Sequence, residues 1–279
     1  MDKEIVLITG TSSGFGFMTA LHLAEKGYYV IATMRNMNKK ELLLSEAKYK
    51  RVEKNIEVHK LDVKNHTQIL GLKQYIINEF GRLDLLINNA GYCLGGMTEF
   101  ANTREWEDQL NTNVLSVVAV SKAFIGMMRR NRKGKIINIG SISGRFGFPG
   151  MAAYTTSKFA LSGFSESLRL ELAPFNIKVS LIEAGSFKTN IWEKSLTKVE
   201  FNQEQDYEPY MKFIYNSAKQ TANTADNPMK VVQLIEKICK SKKPKFRYQI
   251  GKGVKTMLLI KLVFPWSLIE WVVIKRMKK

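Results

Sequence analysis

Short apolar runs closed by glycine or polar turns alternate with stretches of helical periodicity along the first two thirds of the chain. Ile5 to Thr9 is such a run, closed by Gly10, and has the unbroken apolar character of a strand buried on both faces of a parallel sheet. Phe17, Met18, Ala20, Leu21, Leu23 and Ala24 then recur at helical spacing up to Gly27, a C-cap. Further runs at Tyr28–Met34, Ile56–Val63, Leu83–Ile87, Lys135–Ile139 and Lys178–Ile182 predict five more strands. Helices are predicted over about Thr67–Phe80 and Glu105–Arg130, and from Tyr154 to about Phe175, where Pro174 marks the stop. This repeated strand–helix order implies an α/β fold, a doubly wound Rossmann-type parallel sheet with helices on both faces. Ligand is expected at the carboxyl ends of the strands. The expected organisation is one domain over residues 1–250, with a lid at about 186–230, and a basic, apolar tail over 251–279.

Composition changes this picture in two places. Net charge is +18, which invites a nucleic-acid reading, but residues 237–279 hold 13 Lys and Arg against the single acid Glu270. The basic excess belongs to the tail, so no nucleic-acid partner is expected. Cys93 and Cys239 lie far apart without metal-type spacing and read as two thiols of a reducing compartment; no metal is expected. Met-Asp-Lys-Glu runs straight into the first strand without the pattern of a secretory leader, so the expected location is cytoplasmic.

Candidate chemistry sits at the strand ends. Gly10-Thr-Ser-Ser-Gly14-Phe-Gly16 lies between the first strand and the first helix, where glycines let the backbone turn sharply and approach a pyrophosphate, and the first helical amides face its charge. At the end of the second strand an NAD enzyme usually carries an acid for the ribose hydroxyls, but this chain has Met34 followed by Arg35. A guanidinium fork suits a 2′-phosphate, which favours NADP(H) over NAD(H); the competing reading is a solvated turn charge ahead of a helix capped by Asn38 and Glu41. Asp62 could receive an adenine amino group or simply close a turn. Asn113, an amide inside a long helix, is either satisfied in the core or used in a site. Tyr154 and Lys158, four apart, share one helical face, so that a positive charge can lower the phenol pKa from about 10. Ser141 ends the fifth strand and adds a hydroxyl.

With these pieces in order, the chain resembles the short-chain dehydrogenase/reductase family over roughly residues 4–190: T-G-T-S-S-G-F-G at 9–16, L-D-V at 61–63, N-N-A-G at 88–91, Asn113, Ser141, Y-T-T-S-K at 154–158 and A-G-S-F-K-T at 184–189. The resemblance implies catalysis by Asn113, Ser141, Tyr154 and Lys158. Tyr154 would be the general acid, Ser141 would bond the substrate oxygen, Lys158 would hold the nicotinamide ribose and Asn113 would anchor a proton-supplying water. It implies cofactor contacts from Gly10, Thr11, Ser12, Ser13, Gly14, Phe15 and Gly16, from Arg35 and Asn36, and from Asp62 and Val63. Asn89, Ala90, Gly91, Tyr154, Lys158, Gly185, Ser186 and Thr189 complete the set. One departure is Ala184-Gly185 where the family has Pro-Gly, which predicts a looser nicotinamide wall.

Substrate choice is expected in Gly91–Met97, Gly144–Met151 and the segment after Gly185, where Phe187, Trp192, Phe201, Tyr207, Tyr210, Phe213 and Tyr215 suit either an apolar carbonyl or packing of the lid onto the core. The helix after it opens at Pro228. Met257–Ile274 is apolar but interrupted by Lys261, Pro265 and Glu270, which fits an interfacial helix with Trp266 and Trp271 at the headgroups; a cover over the substrate mouth or a subunit contact fits as well. The expected activity interconverts a carbonyl and an alcohol in a homodimer or homotetramer, and the alternative is a non-catalytic NADP(H)-binding sensor or scaffold of the same fold.

Overall fold

The computed structural model describes residues 3–189 and 205–277. Seven strands, β1 (Ile5–Thr9), β2 (Tyr29–Met34), β3 (Ile56–Lys60), β4 (Leu85–Asn88), β5 (Gly134–Ile139), β6 (Ile177–Ala184) and β7 (Arg247–Ile250), form one sheet in the order β3-β2-β1-β4-β5-β6-β7, and every neighbouring pair is parallel. The connecting helices are α1 (Gly14–Glu25), α2 (Lys40–Tyr49), α3 (His66–Phe80), α4 (Thr103–Leu110), α5 (Ser116–Arg130) and α6 (Ala152–Leu172). After β6 come α7 (Glu208–Thr224) and α8 (Met229–Lys240), and after β7 come α9 (Val254–Val263) and α10 (Trp266–Met277).

The apolar runs form strands because both faces of the sheet are covered. Successive side chains of β1 point to opposite sides, and Val6 and Ile8 pack in one core cluster with residues of α1 and α8. Ile5 and Leu7 pack in the other, against α3, α5 and α6. Continuous hydrophobicity is therefore required, which makes these strands legible. The chain order reverses between β1 and β4, so their carboxyl ends flank the crevice where a doubly wound sheet takes its ligand.

Three predicted features need correction. The long helix over 105–130 begins at Thr103, with an Asn102–Glu105 capping box, and is interrupted by a turn of π-helix at Asn111–Leu115. The helix after β2 is not capped by Asn38 and Glu41. Instead the Asn36 side chain accepts from the Asn38 amide at 3.0 Å and opens a short 3₁₀ turn before α2. Finally, Arg247–Ile250 is a seventh strand that the periodicity does not signal. It is held partly by Arg247, which donates to the buried carboxylate of Glu183 at 2.6 Å and to Glu166 at 2.6 Å.

Candidate active site

The glycine turn is shaped by close backbone packing. Gly10 takes φ +72°, which costs an L side chain strain, and a Cβ there would lie 2.8 Å from Ala90 Cα. A Cβ on Gly16 would lie 2.4 Å from both Asn89 Nδ2 and the Gly10 carbonyl oxygen. Asn89 explains that crowding: its Nδ2 donates to the Thr9 and Gly10 carbonyls, each at 2.9 Å, while the amides of Asn89 and Ala90 donate to Thr9 Oγ1 at 3.0 Å. The Asn-Asn-Ala-Gly stretch thus fastens the end of β4 to the turn after β1. Thr11, fully buried, ties the same turn to β2 through the Thr33 carbonyl at 3.1 Å.

The mouth of this turn is open. Ser13 stands at the N-cap of α1 in extended conformation without a side-chain capping bond, and the first turn of α1 carries no acid. The first amides of the helix are therefore free of a capping side chain, and with the helix dipole they form a site for an anion. A Cβ on Gly14 would lie 3.8 Å from Thr189 Cβ, an ordinary contact. This is a cradle that a pyrophosphate fits: glycine where side chains would collide, donors at a helix start and no competing carboxylate.

Arg35 is exposed at the end of β2, with no acid paired to it among the described residues, and Asn36 beside it is spent on its cap. Asp62 closes a turn, its Oδ1 accepting from the Lys64 amide at 3.0 Å, and the Val63 side chain is buried in the core. Gly185, expected in a loosened turn, is pinned: its amide donates to the Ile250 carbonyl at 2.8 Å, and a Cβ would lie 2.7 Å from Val254 Cγ2. Pairing with β7, which the periodicity does not reveal, supplies this restraint. Beyond Gly185 the Ser186 carbonyl accepts from Asp226, and Phe187 packs edge-on against Phe15 at 5.6 Å.

At the carboxyl end of β5, Ser141 starts a 3₁₀ turn over Ile142–Gly144, and its Oγ accepts from the Ser143 amide at 3.1 Å. The hydroxyl proton is then available to the Tyr154 phenol, whose raised pKa Ser141 opposes. Tyr154 and Lys158 are both buried on one face of α6. Lys158 Nζ donates to the Ile139 carbonyl at 2.9 Å and lies 5.6 Å from the Tyr154 ring centroid. Burial pushes the phenol well above its ordinary value, with Cys93 adding to the rise and the Ser141 bond opposing it. Burial also pushes Lys158 down to about 8. The expected lysine-driven lowering of the phenol does not appear, since desolvation disfavours both charged forms.

Asn113 is buried at the π-turn, and its side chain uses both donors and one of its two acceptor positions. Oδ1 accepts from the Tyr92 amide at 3.1 Å, and Nδ2 donates to the Tyr92 carbonyl at 2.9 Å and to Ser157 Oγ at 3.0 Å. Ser157 in turn donates to the Tyr154 carbonyl at 2.6 Å. This chain of bonds connects the loop after β4 to the helix that carries the phenol. Cys93, read from sequence only as a thiol, is buried in this neighbourhood and acts electrostatically on both Tyr154 and Lys158, a placement that spacing does not reveal.

The sequence profile of the short chain dehydrogenase family matches residues 4–200. The chain belongs to that family. As a short-chain dehydrogenase it is an oxidoreductase, and its relatives share its length. An uncharacterized oxidoreductase, YusZ, of Bacillus subtilis is 39% identical over 99% of each chain. A 3-ketodihydrosphingosine reductase of Bacteroides thetaiotaomicron is 38% identical over 92% of this chain and 91% of its own. Among solved structures, ElxO with NADP bound superposes with a TM-score of 0.76 at 27% identity, over 91% of this chain and 99% of its own.

Proposed function

We propose that this short-chain dehydrogenase is an NADP(H)-dependent reductase of an apolar, lipid-like carbonyl, run by Ser141, Tyr154 and Lys158. The observation that carries the reading is the Tyr154 phenol, buried beside Ser141 and Lys158 at the same sheet edge as the open glycine cradle. When bound, the cofactor supplies or accepts the hydride.

The protein's part is binding and proton placement. Gly10, Ser12, Ser13, Gly14, Phe15 and Gly16 enclose the pyrophosphate, Asp62 and Val63 border the adenine, and Arg35 pairs with the 2′-phosphate. Asn89, Ala90, Gly91, Gly185, Ser186 and Thr189 border the rest of the cofactor. Lys158 uses one of its three protons on Ile139, which leaves two for ribose hydroxyls. Reduction places negative charge on the substrate oxygen. Ser141 stabilises that oxygen by a hydrogen bond, and Tyr154, whose raised pKa keeps it protonated near neutrality, delivers the proton.

Resupply of the proton involves the Asn113 region. The Asn113 side chain is committed to Tyr92 and Ser157. Both Nδ2 protons being spent, the water is assigned to the second lone pair of Asn113 Oδ1.

NADP is bound in ElxO, and the ketosphingolipid named for the Bacteroides relative is an apolar carbonyl; both support the reading. A panel of ketones and aldehydes graded by chain length, followed by NADPH oxidation, tests it. Expected is a kcat/KM that climbs with apolar length and a clear preference for NADPH. Equal rates across the panel, or preference for NADH, would remove the substrate or cofactor assignment.

A further inference from the structure

The last two helices join the catalytic loop at one end and stand bare at the other. Val254 is buried against Ile142 and Phe146, within the loop between Ser141 and Tyr154, and Phe148, Met257, Leu258 and Ile269 pack on this cluster. The chain reverses at Phe264–Pro265, so Ile269 returns to the cluster that Met257 and Leu258 left. Lys261 Nζ bonds the Arg145 carbonyl and lies 5.1 Å from the Phe146 ring centroid and 5.5 Å from that of Phe159. The near half of the tail is thereby part of the catalytic loop's packing.

The far half is not packed. Ten of the sixteen large exposed hydrophobic side chains among the described residues lie between Leu259 and Ile274. Leu262 is 84% exposed, Val263 62% and Trp266 57%, all at the reversal. An apolar patch this concentrated on a soluble surface marks an interaction site.

Charge selects the occupant. Lys252, Lys255, Lys261, Lys275 and Arg276 flank or interrupt the apolar run in sequence, Lys278 and Lys279 follow, and Glu270 is the sole acid between residues 237 and 279. Lys275 Nζ sits 4.7 Å from the Trp271 ring centroid, the pairing of cation and indole that suits a headgroup layer. A second copy would bring these cations together with one carboxylate per chain to answer them, whereas an anionic bilayer supplies the missing charge. Helices of 10 and 12 residues are too short to span about 30 Å of hydrocarbon, so the contact is at the surface.

We propose that the α9–α10 tip docks this enzyme on an anionic lipid surface, and that the substrate mouth, bordered by Ile142, Phe146 and Phe148, opens beside that contact to take its carbonyl from the bilayer. The second half of this statement rests on the reductase reading; the first does not.

Sedimentation of the full chain with phosphatidylcholine vesicles, and with equimolar phosphatidylcholine and phosphatidylglycerol vesicles, tests both. Expected is binding at least tenfold tighter to the phosphatidylglycerol vesicles, weakened by salt, with quenching of tryptophan fluorescence by brominated lipid. Leu262→Glu/Trp266→Glu should lose that binding and its turnover of a vesicle-dissolved ketone, while keeping its rate on a water-soluble ketone. Lys275→Glu/Arg276→Glu, on the exposed rim, should weaken binding while every apolar side chain of the patch is kept. Wild-type protein that stays in the supernatant with both vesicles overturns the proposal. So does a Leu262→Glu/Trp266→Glu variant that binds unchanged, or one that shifts from dimer to monomer without change in lipid binding. If the wild type binds vesicles but reduces no carbonyl in any form, docking stands and the reductase reading falls.

Discussion

Lys158 Nζ donates to the Ile139 carbonyl at 2.9 Å while standing 5.6 Å from the centroid of the Tyr154 ring. The lysine is thus fixed by the strand that delivers Ser141, and its charge state, not its position, is what pH can change. Burial pushes it down to about 8, so it is an ammonium below that pH and neutral above it. The kcat/KM for NADPH, which reports the free protein, should hold steady from about pH 6 to 7.5 and then fall by up to about tenfold per unit above 8. Lys158→Arg, charged throughout, should flatten that descent. A wild-type profile level to pH 9.5 would contradict it.

Arg35 projects from the end of β2 with no acid paired to it among the described residues. A charge-assisted hydrogen bond to a phosphate contributes about 1.5–3 kcal/mol, so Arg35→Asp should reduce the NADPH-to-NADH preference by about tenfold or more. Steady-state kcat/KM with each cofactor measures this; an unchanged ratio refutes the role of Arg35.

Gly16 has no room for a side chain, its notional Cβ lying 2.4 Å from Asn89 Nδ2 and from the Gly10 oxygen. Gly16→Ala should force the turn apart and weaken NADPH binding at least tenfold by fluorescence titration. Gly71→Ala, in open space on α3, is the control and should bind NADPH as the wild type does.

Asn113→Ala should cost about 1–3 kcal/mol of unfolding free energy, because it leaves the part-buried Tyr92 amide without its acceptor, while the Tyr92 carbonyl keeps Gln109 Nε2 at 3.0 Å. Ser157→Ala removes the bond from Asn113 Nδ2 and the bond to the Tyr154 carbonyl but leaves both Tyr92 bonds, and should cost about 1 kcal/mol. Urea denaturation gives both values, and equal costs would show that Tyr92 does not depend on Asn113.

The fold was legible where burial was two-sided. The β1, β2, β4, β5 and β6 runs are mostly buried on both faces, whereas β3 is half-buried at the sheet edge, and the turns after β1 and β4 carry the glycines and asparagines that the crevice requires. β7 escaped because its four residues, Arg247 to Ile250, lie at the sheet edge, and Arg247 enters the core only to meet Glu183. The π-turn at Asn113 leaves the hydrophobic spacing of the long helix nearly intact, so periodicity passes over it. The positions of Ser141, Tyr154 and Lys158 followed from spacing, but their pKa directions did not, since desolvation depends on what the tertiary structure stacks above them. The aromatics after Gly185 divide: Tyr207 packs against Phe100 at 5.1 Å and bonds Glu99, as a packing residue does, whereas Trp192 and Phe201 lie outside the described residues.

The central claim is that the buried Tyr154 phenol transfers the proton. Single-turnover oxidation of NADPH by Tyr154→Phe, run beside an NADPH-binding titration of the same variant, measures it most directly. The rate should fall by about 10²–10⁴-fold while the dissociation constant for NADPH stays within about twofold of wild type. A Tyr154→Phe protein that turns over an apolar ketone at the wild-type rate would contradict the account.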